Sequence, residues 1–189
     1  MRILRAADHK AMPWKNGGGV TREVALAPAE GAAFLWRLSL ATIRESGPFS
    51  TFAGIDRTIV ALRGNAVDLM VDGAPATRLT AAGEPFAFAG EAAVEARIGD
   101  GETTDLNIMT LRGHARHVMK RIAWSGDYPV IGEHSYTMVV FTGSVAVVDA
   151  DGSHMLAADD VIADLFPGDE LTLIGSGPSV AYLVGIDIP

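Results

Sequence analysis

Short apolar runs and single-step alternations of apolar and polar residues dominate the chain, and long stretches of strong helix formers are few. That patterning predicts many short strands. In FLWRLSLATI, residues Phe34, Trp36, Leu38 and Leu40 fall on one side of a strand and Leu35, Arg37, Ser39 and Ala41 on the other. In TDLNIMT, Asp105, Asn107 and Met109 oppose Leu106 and Ile108, and in VTREVALA, Thr21 and Glu23 oppose Val20, Val24 and Leu26. Each of the three strands joins an apolar face to one carrying hydrogen-bonding groups. Twenty-one glycines and 9 prolines supply the turns that so many strands need. An all-β fold is expected.

A weak internal repeat organises these elements. ALRGNAVDLMVDG (residues 61–73) aligns with VFTGSVAVVDADG (140–152), Gly64 on Gly143 and Asp72-Gly73 on Asp151-Gly152. Each copy reads as strand, Gly turn, alternating strand and an Asp-Gly hairpin turn. FAFAGEAAVEARIGDG (86–101) and LFPGDELTLIGSG (165–177) continue the match, each with a Gly-acidic pair before a strand. Two copies of one antiparallel unit, closed as barrels or jelly rolls, account for the repeat. Turn signals mark residues 113–132 as a bridge between them. The strands near 20–26 and 34–43 have no clear counterpart, so the halves are unequal; residues 1–113 form the expected first module and 114–189 the second.

At 189 residues, 49% of them hydrophobic, the chain is long enough to bury a substantial core. A net charge of −8 and a pI near 5.0 argue against nucleic acid or an anionic membrane as partner, since no basic stripe relieves the repulsion. Cysteine is absent, which excludes disulfides and thiolate metal sites. The segment MRILRAADHKAMPW lacks the apolar core of a signal peptide and no run approaches membrane-spanning length, so a cytoplasmic protein is expected.

Four motifs in order, MPWKNGGGVTREVA, FLWRLSLATI, SGPFSTFAGIDRTIVALRG and TTDLNIMTLRG, resemble the HutD/Ves family over the first 113 residues. The resemblance implies a bicupin, with two cupin-type β-barrel or jelly-roll modules in one chain. It also implies a link to histidine utilisation, through binding of a small pathway metabolite in a governing role and without catalysis. Urocanate or a formylated or formiminated glutamate is the implied ligand, no cofactor is implied, and cupin analogy suggests a homodimer.

Other chemistries find little support in the residues. Where a metal-binding cupin carries its histidines, SGPFSTFAGIDR offers only Ser50, Asp56 and Arg57, and an arginine beside a cation is unfavourable. His9, His114, His117, His134 and His154 are scattered and read as surface or packing residues. No GxSxG elbow occurs. KNGGGVT has neither phosphate-loop spacing nor a following helix, so its glycines, Gly18 among them, read as a tight turn with exposed N–H donors.

The expected site is therefore a barrel mouth for a carboxylate. Arg37, with Lys15 or Arg57, would take the anion through charge-assisted hydrogen bonds. Asn16, Ser39, Thr21, Asp105 and Asn107 would meet its other polar groups, and Trp14, Gly18, Glu23, Ser50 and Asp56 complete the candidate set. The competing reading of the same alternation is that these polar faces are solvated, with MPWKNGGG plugging the barrel. The competing function is an enzyme, either an atypical metal cupin or a metal-free isomerase using Glu23 or Asp105.

Overall fold

The computed structural model describes residues 1–14 and 17–189. The chain is all-β, its only helical element a 3-10 turn at Ala6–Asp8 among the described residues. The strands are β1 (Arg2–Leu4), β2 (Lys10–Pro13), β3 (Gly19–Ala29), β4 (Ala32–Ile43), β5 (Gly47–Pro48), β6 (Ile55–Gly64), β7 (Val67–Val71), β8 (Ala74–Leu79), β9 (Phe86–Ala89), β10 (Val94–Ile98) and β11 (Thr103–Leu111). They continue as β12 (Arg116–Ile131), β13 (Tyr136–Phe141), β14 (Val145–Asp149), β15 (Gly152–Leu156), β16 (Val161–Leu165) and β17 (Glu170–Asp187). Contacts divide the chain into a unit of Lys10–Arg116 and a unit of Met1–His9 with His117–Pro189.

In the Lys10–Arg116 unit, a six-stranded antiparallel sheet runs β2-β3-β4-β11-β6-β9 and a four-stranded one runs β5-β10-β7-β8. Ile59 and Ala61 of β6 pack with Val67, Leu69, Leu79, Val94 and Ala96 of the smaller sheet in one buried cluster. Alternation explains their selection, because residues two apart on β6 share the face turned to the smaller sheet. The opposite face of the large sheet is also covered: Leu38, Leu40, Leu106 and Ile108 are all fully buried.

In the other unit, one seven-stranded sheet runs β1-β16-β13-β17-β14-β15, with β12 paired to β17. Its core gathers Phe141, Val147, Leu156, Ile162, Leu165 and Leu173. Asp160, buried, ties the N-terminus into this unit: its carboxylate accepts from Ala6 N at 2.8 Å, Ala157 N at 3.0 Å and Arg5 Nη1 at 2.8 Å. Burial pushes the Asp160 carboxyl up, but these three donors outweigh it and hold the group below its ordinary range.

The repeat has a topological counterpart. In the first unit β6 pairs β9, and β7 pairs both β8 and β10; in the second β13 pairs β16, and β14 pairs both β15 and β17. Two details depart from expectation. The first hairpin does turn at Asp72-Gly73, both with positive φ (51° and 81°), closed by Val71 opposite Ala74. The second turns one residue earlier, at Ala150-Asp151, with Asp149 opposite Gly152; the Asp149 carboxylate accepts from both Asp151 N and Gly152 N at 3.0 Å, and that side-chain turn replaces the Asp-Gly one. The expected bridge at 113–132 is for the most part a strand, the 16-residue β12, which pairs with β17.

Candidate functional site

β11 lies between β4 and β6, and its register sets the chemistry of one sheet face row by row. Met109 stands between Arg37 and Arg57, Asn107 between Ser39 and Ile59, and Asp105 between Ala41 and Ala61. β3 extends two of the rows, with Glu23 beside Ser39 and Thr21 beside Ala41. Two strand spacings separate the backbones of Arg37 and Arg57, roughly 10 Å. This face forms the floor of a cavity of about 570 Å³, inside the range of small-molecule sites. Met12, Pro13 and Trp14 line it on one side and Pro48, Phe49, Ser50 and Phe52 on the other.

Trp14 is placed by the turn that links β2 to β3. Trp14 N donates to Gly19 O at 2.9 Å, and the indole Nε1 donates to Thr21 Oγ1, also at 2.9 Å. Gly19 permits this approach: a Cβ there would sit 2.5 Å from Thr42 O and 3.0 Å from the Trp14 ring. The expected leader is thus a hairpin whose tip carries one wall of the cavity. Lys15 and Asn16, both expected at the site, lie outside the described residues.

Arg57 is buried, and its surroundings are mostly aromatic. Its guanidinium carbon lies 4.8 Å from the ring centroid of Phe88, 5.5 Å from Phe52 and 5.6 Å from Phe49, and Nη1 donates to Ser50 O at 3.1 Å. Nε has no hydrogen-bond partner among the described residues. Burial draws this guanidinium down to about 10, with the nearby Arg37 charge adding to the fall and Asp105 opposing it. Arg37 is held differently, with Nε 2.9 Å from Glu23 Oε2 in an ion pair.

Asp105 is 2% exposed and Asn107 5%. Asp105 Oδ1 and Asn107 Oδ1 are both buried without a hydrogen-bond partner among the described residues. Such atoms are costly and rare unless a ligand or water completes them. Burial pushes the Asp105 carboxyl up to about 7, against the pull of Arg57.

Of the expected site residues, Trp14, Thr21, Arg37, Ser39, Ser50, Arg57, Asp105 and Asn107 line this one cavity. Glu23 does not line it but holds Arg37. Asp56 points the other way, because it precedes Arg57 on an alternating strand, and its carboxylate pairs with Arg112 at 2.8 Å on the exposed side. Gly18 contributes its carbonyl to Arg44 N at 2.9 Å and lies off the cavity lining. Met12, Met109 and the aromatic surround of Arg57 were not among the expected site residues; the available signals were PFSTF, which places Phe49 and Phe52 just ahead of Arg57, and the alternation that puts Met109 on the face of Asp105 and Asn107.

The fold is that of an all-β protein of cupin-like architecture. A cupin 2 conserved barrel domain protein from Leptotrichia buccalis superposes with a TM-score of 0.63 at 10% identity, over 97% of this chain and 100% of that one. At finer grain, the family model HutD matches residues 6–178, and the chain belongs to the HutD family. It is 39% identical over 145 residues to an uncharacterized 21.2 kDa protein in the hutC 3′ region of Pseudomonas putida, covering 76% of this chain and 74% of that protein. It is 35% identical over 157 residues to protein Ves of Citrobacter koseri, covering 80% and 78%. The structure of HutD from Pseudomonas fluorescens SBW25 superposes with a TM-score of 0.85 at 29% identity, over 100% of this chain and 98% of that one.

Proposed function

We propose that this protein is a non-catalytic bicupin that binds a small carboxylate metabolite in the service of histidine utilisation. The observation that carries this reading is the pair of arginines, Arg37 and Arg57, set on either side of Met109 in one cavity. A guanidinium takes a carboxylate through two parallel charge-assisted bonds, and these strengthen where water is excluded. Ser39, Thr21 and Asn107 offer further polar groups on the same floor. The HutD name of the family and the hutC neighbourhood of the P. putida relative support an intermediate of histidine breakdown as ligand.

Calorimetry with urocanate, N-formylglutamate and N-formiminoglutamate tests the reading against wild type and Arg57→Met. At least one ligand is expected to bind the wild type and to lose about two orders of magnitude in affinity with the variant. Absence of heat with all three, or equal affinity for both proteins, overturns it.

One observation favours a second reading. A buried carboxyl near pH 7 in a cavity suits a general base, so Asp105 could abstract a proton from a bound ligand in a metal-free isomerase. Solvent deuterium entering a C–H position of the ligand, followed by NMR, separates the two. Binding without exchange leaves the non-catalytic reading.

A further inference from the structure

The cavity that holds the proposed carboxylate contains a feature at odds with an anion: a fully buried carboxyl group in the same wall. This inference rests on the carboxylate reading and concerns how that site balances its charge. The described charged residues lining the cavity are Arg37, Arg57 and Asp105. Arg37 from β4 is already paired with Glu23 from β3 at 2.9 Å, and Lys10, opposite Glu23 in the β2 register, is exposed to solvent. Arg57 from β6 is the group whose charge acts most strongly on Asp105. The cluster facing the floor from the smaller sheet is apolar.

With Asp105 ionised, these four groups cancel: two guanidinium charges against two carboxylates. A bound anion then brings a further negative charge next to a buried carboxylate, with no described cation left to balance it. With Asp105 protonated, the same set carries one net positive charge and matches a carboxylate. Geometry points the same way. Asp105 belongs to the cavity lining and its Oδ1 has no partner among the described residues, so a proton on this carboxyl adds an O–H donor at the cavity wall.

We propose that each ligand enters this cavity together with one proton, that Asp105 receives the proton, and that its neutral acid donates a hydrogen bond to the ligand carboxylate held by the arginines. Asp105 thereby determines specificity: it admits an anion by giving up its own charge, and the site releases its ligand as pH rises. The proton comes from solvent and returns there on dissociation, so no other reactant is required. Burial of Asp105, which raises its carboxyl to about 7, keeps the cost of this uptake small at physiological pH.

The experiment is calorimetric titration of the full-length protein with N-formylglutamate, which has no group titrating between pH 6 and 9. Titrations at pH 6.0 and 8.5 use phosphate and Tris, buffers of different ionisation enthalpy. Uptake of close to one proton per ligand is expected at pH 8.5 and clearly less at pH 6.0, with affinity falling about tenfold per unit above pH 7. Asp105→Asn, which keeps a donor in place of the acid, is expected to bind without proton uptake and with nearly pH-independent affinity. Binding of wild type with no proton uptake at pH 8.5 overturns this inference alone, and needs no variant to do so. A folded Asp105→Asn that still takes up a proton also overturns it. Absence of binding at both pH values overturns the carboxylate reading and this inference with it.

Discussion

Arg37 and Glu23 form an ion pair, Nε to Oε2 at 2.9 Å, on the same sheet face that carries Arg57. The two cavity arginines are therefore unequal. A carboxylate at contact distance restrains Arg37, whereas a backbone carbonyl and three phenyl rings restrain Arg57. Arg57 is the cation with more capacity to spare for a ligand, although Arg37 attracts attention first when strand alternation is read alone.

Glu23→Gln is expected to tighten carboxylate binding by about three- to tenfold, because it removes a negative charge that competes with the ligand for Arg37. Dissociation constants from calorimetry check this. Weaker binding would mean that Glu23 matters more for orienting the arginine than for neutralising it.

Arg57→Lys is expected to fail as a replacement, retaining charge but losing most of the affinity. Lysine is a compact point charge with no planar fork to stack among Phe49, Phe52 and Phe88 or to meet a carboxylate with two bonds. Comparing the dissociation constants of Arg57→Lys and Arg57→Met separates charge from shape: similar weak binding by both is the expected outcome.

How much of this site was legible in the sequence depended on the strand. For β11 and β4 alternation was sufficient, and Asp105, Asn107, Arg37 and Ser39 line one cavity as their spacing suggests. On β6 the same rule separates Arg57 from Asp56, which composition had grouped together. On β3 the rule loses force, because a register shift between Glu23 and Ala25 breaks the alternation just past the site and leaves Leu26 42% exposed. β12 was missed because Gly126, at φ +78°, and Pro129 punctuate it like a loop, while its pairing with β17 is made across some 50 residues of sequence. The aromatic surround of Arg57 was hidden for a similar reason, Phe88 being brought to it by the β6·β9 register.

Asp105 gives the ligand-free protein a distinctive pH dependence. Its folded value of about 7 lies above the unfolded 3.8, so the native state holds the proton more tightly than the unfolded chain does. Stability from this group is full below about pH 4, declines as pH rises toward 7, and is level above. The decline is on the order of 4 kcal/mol. This is the reverse of a carboxylate such as Asp160, whose depressed value adds stability as pH rises. Urea unfolding of wild type and Asp105→Asn between pH 4 and 8 is expected to show the variant gaining on wild type across that window; parallel curves contradict the assignment.

Gly19→Ala is expected to disturb the cavity from behind. The added methyl group has no room against Thr42 O and the Trp14 ring, so the indole must shift and its bond to Thr21 is strained or lost. A cost of about 1–3 kcal/mol in stability is expected, with weaker ligand binding and altered tryptophan fluorescence. Unchanged fluorescence and affinity would show that Trp14 is not a wall of the functional site.

Asp160→Ala should behave in the opposite way. It leaves Ala6 N, Ala157 N and the Arg5 guanidinium without their shared acceptor and costs about 1–3 kcal/mol, but it lies in the other unit, outside the cavity lining. Urea midpoints are expected to fall while the dissociation constant for the carboxylate, measured well below the unfolding transition, stays within about twofold.

Arg57 and Arg37 are proposed to hold a carboxylate above the β4-β11-β6 floor. A crystal structure of the protein with N-formylglutamate tests it most directly. A ligand carboxylate within hydrogen-bond distance of the Arg57 guanidinium, with an oxygen also facing Asp105, is the predicted result. A ligand bound elsewhere, or one seated in the cavity with its carboxylates turned away from both arginines, would contradict it.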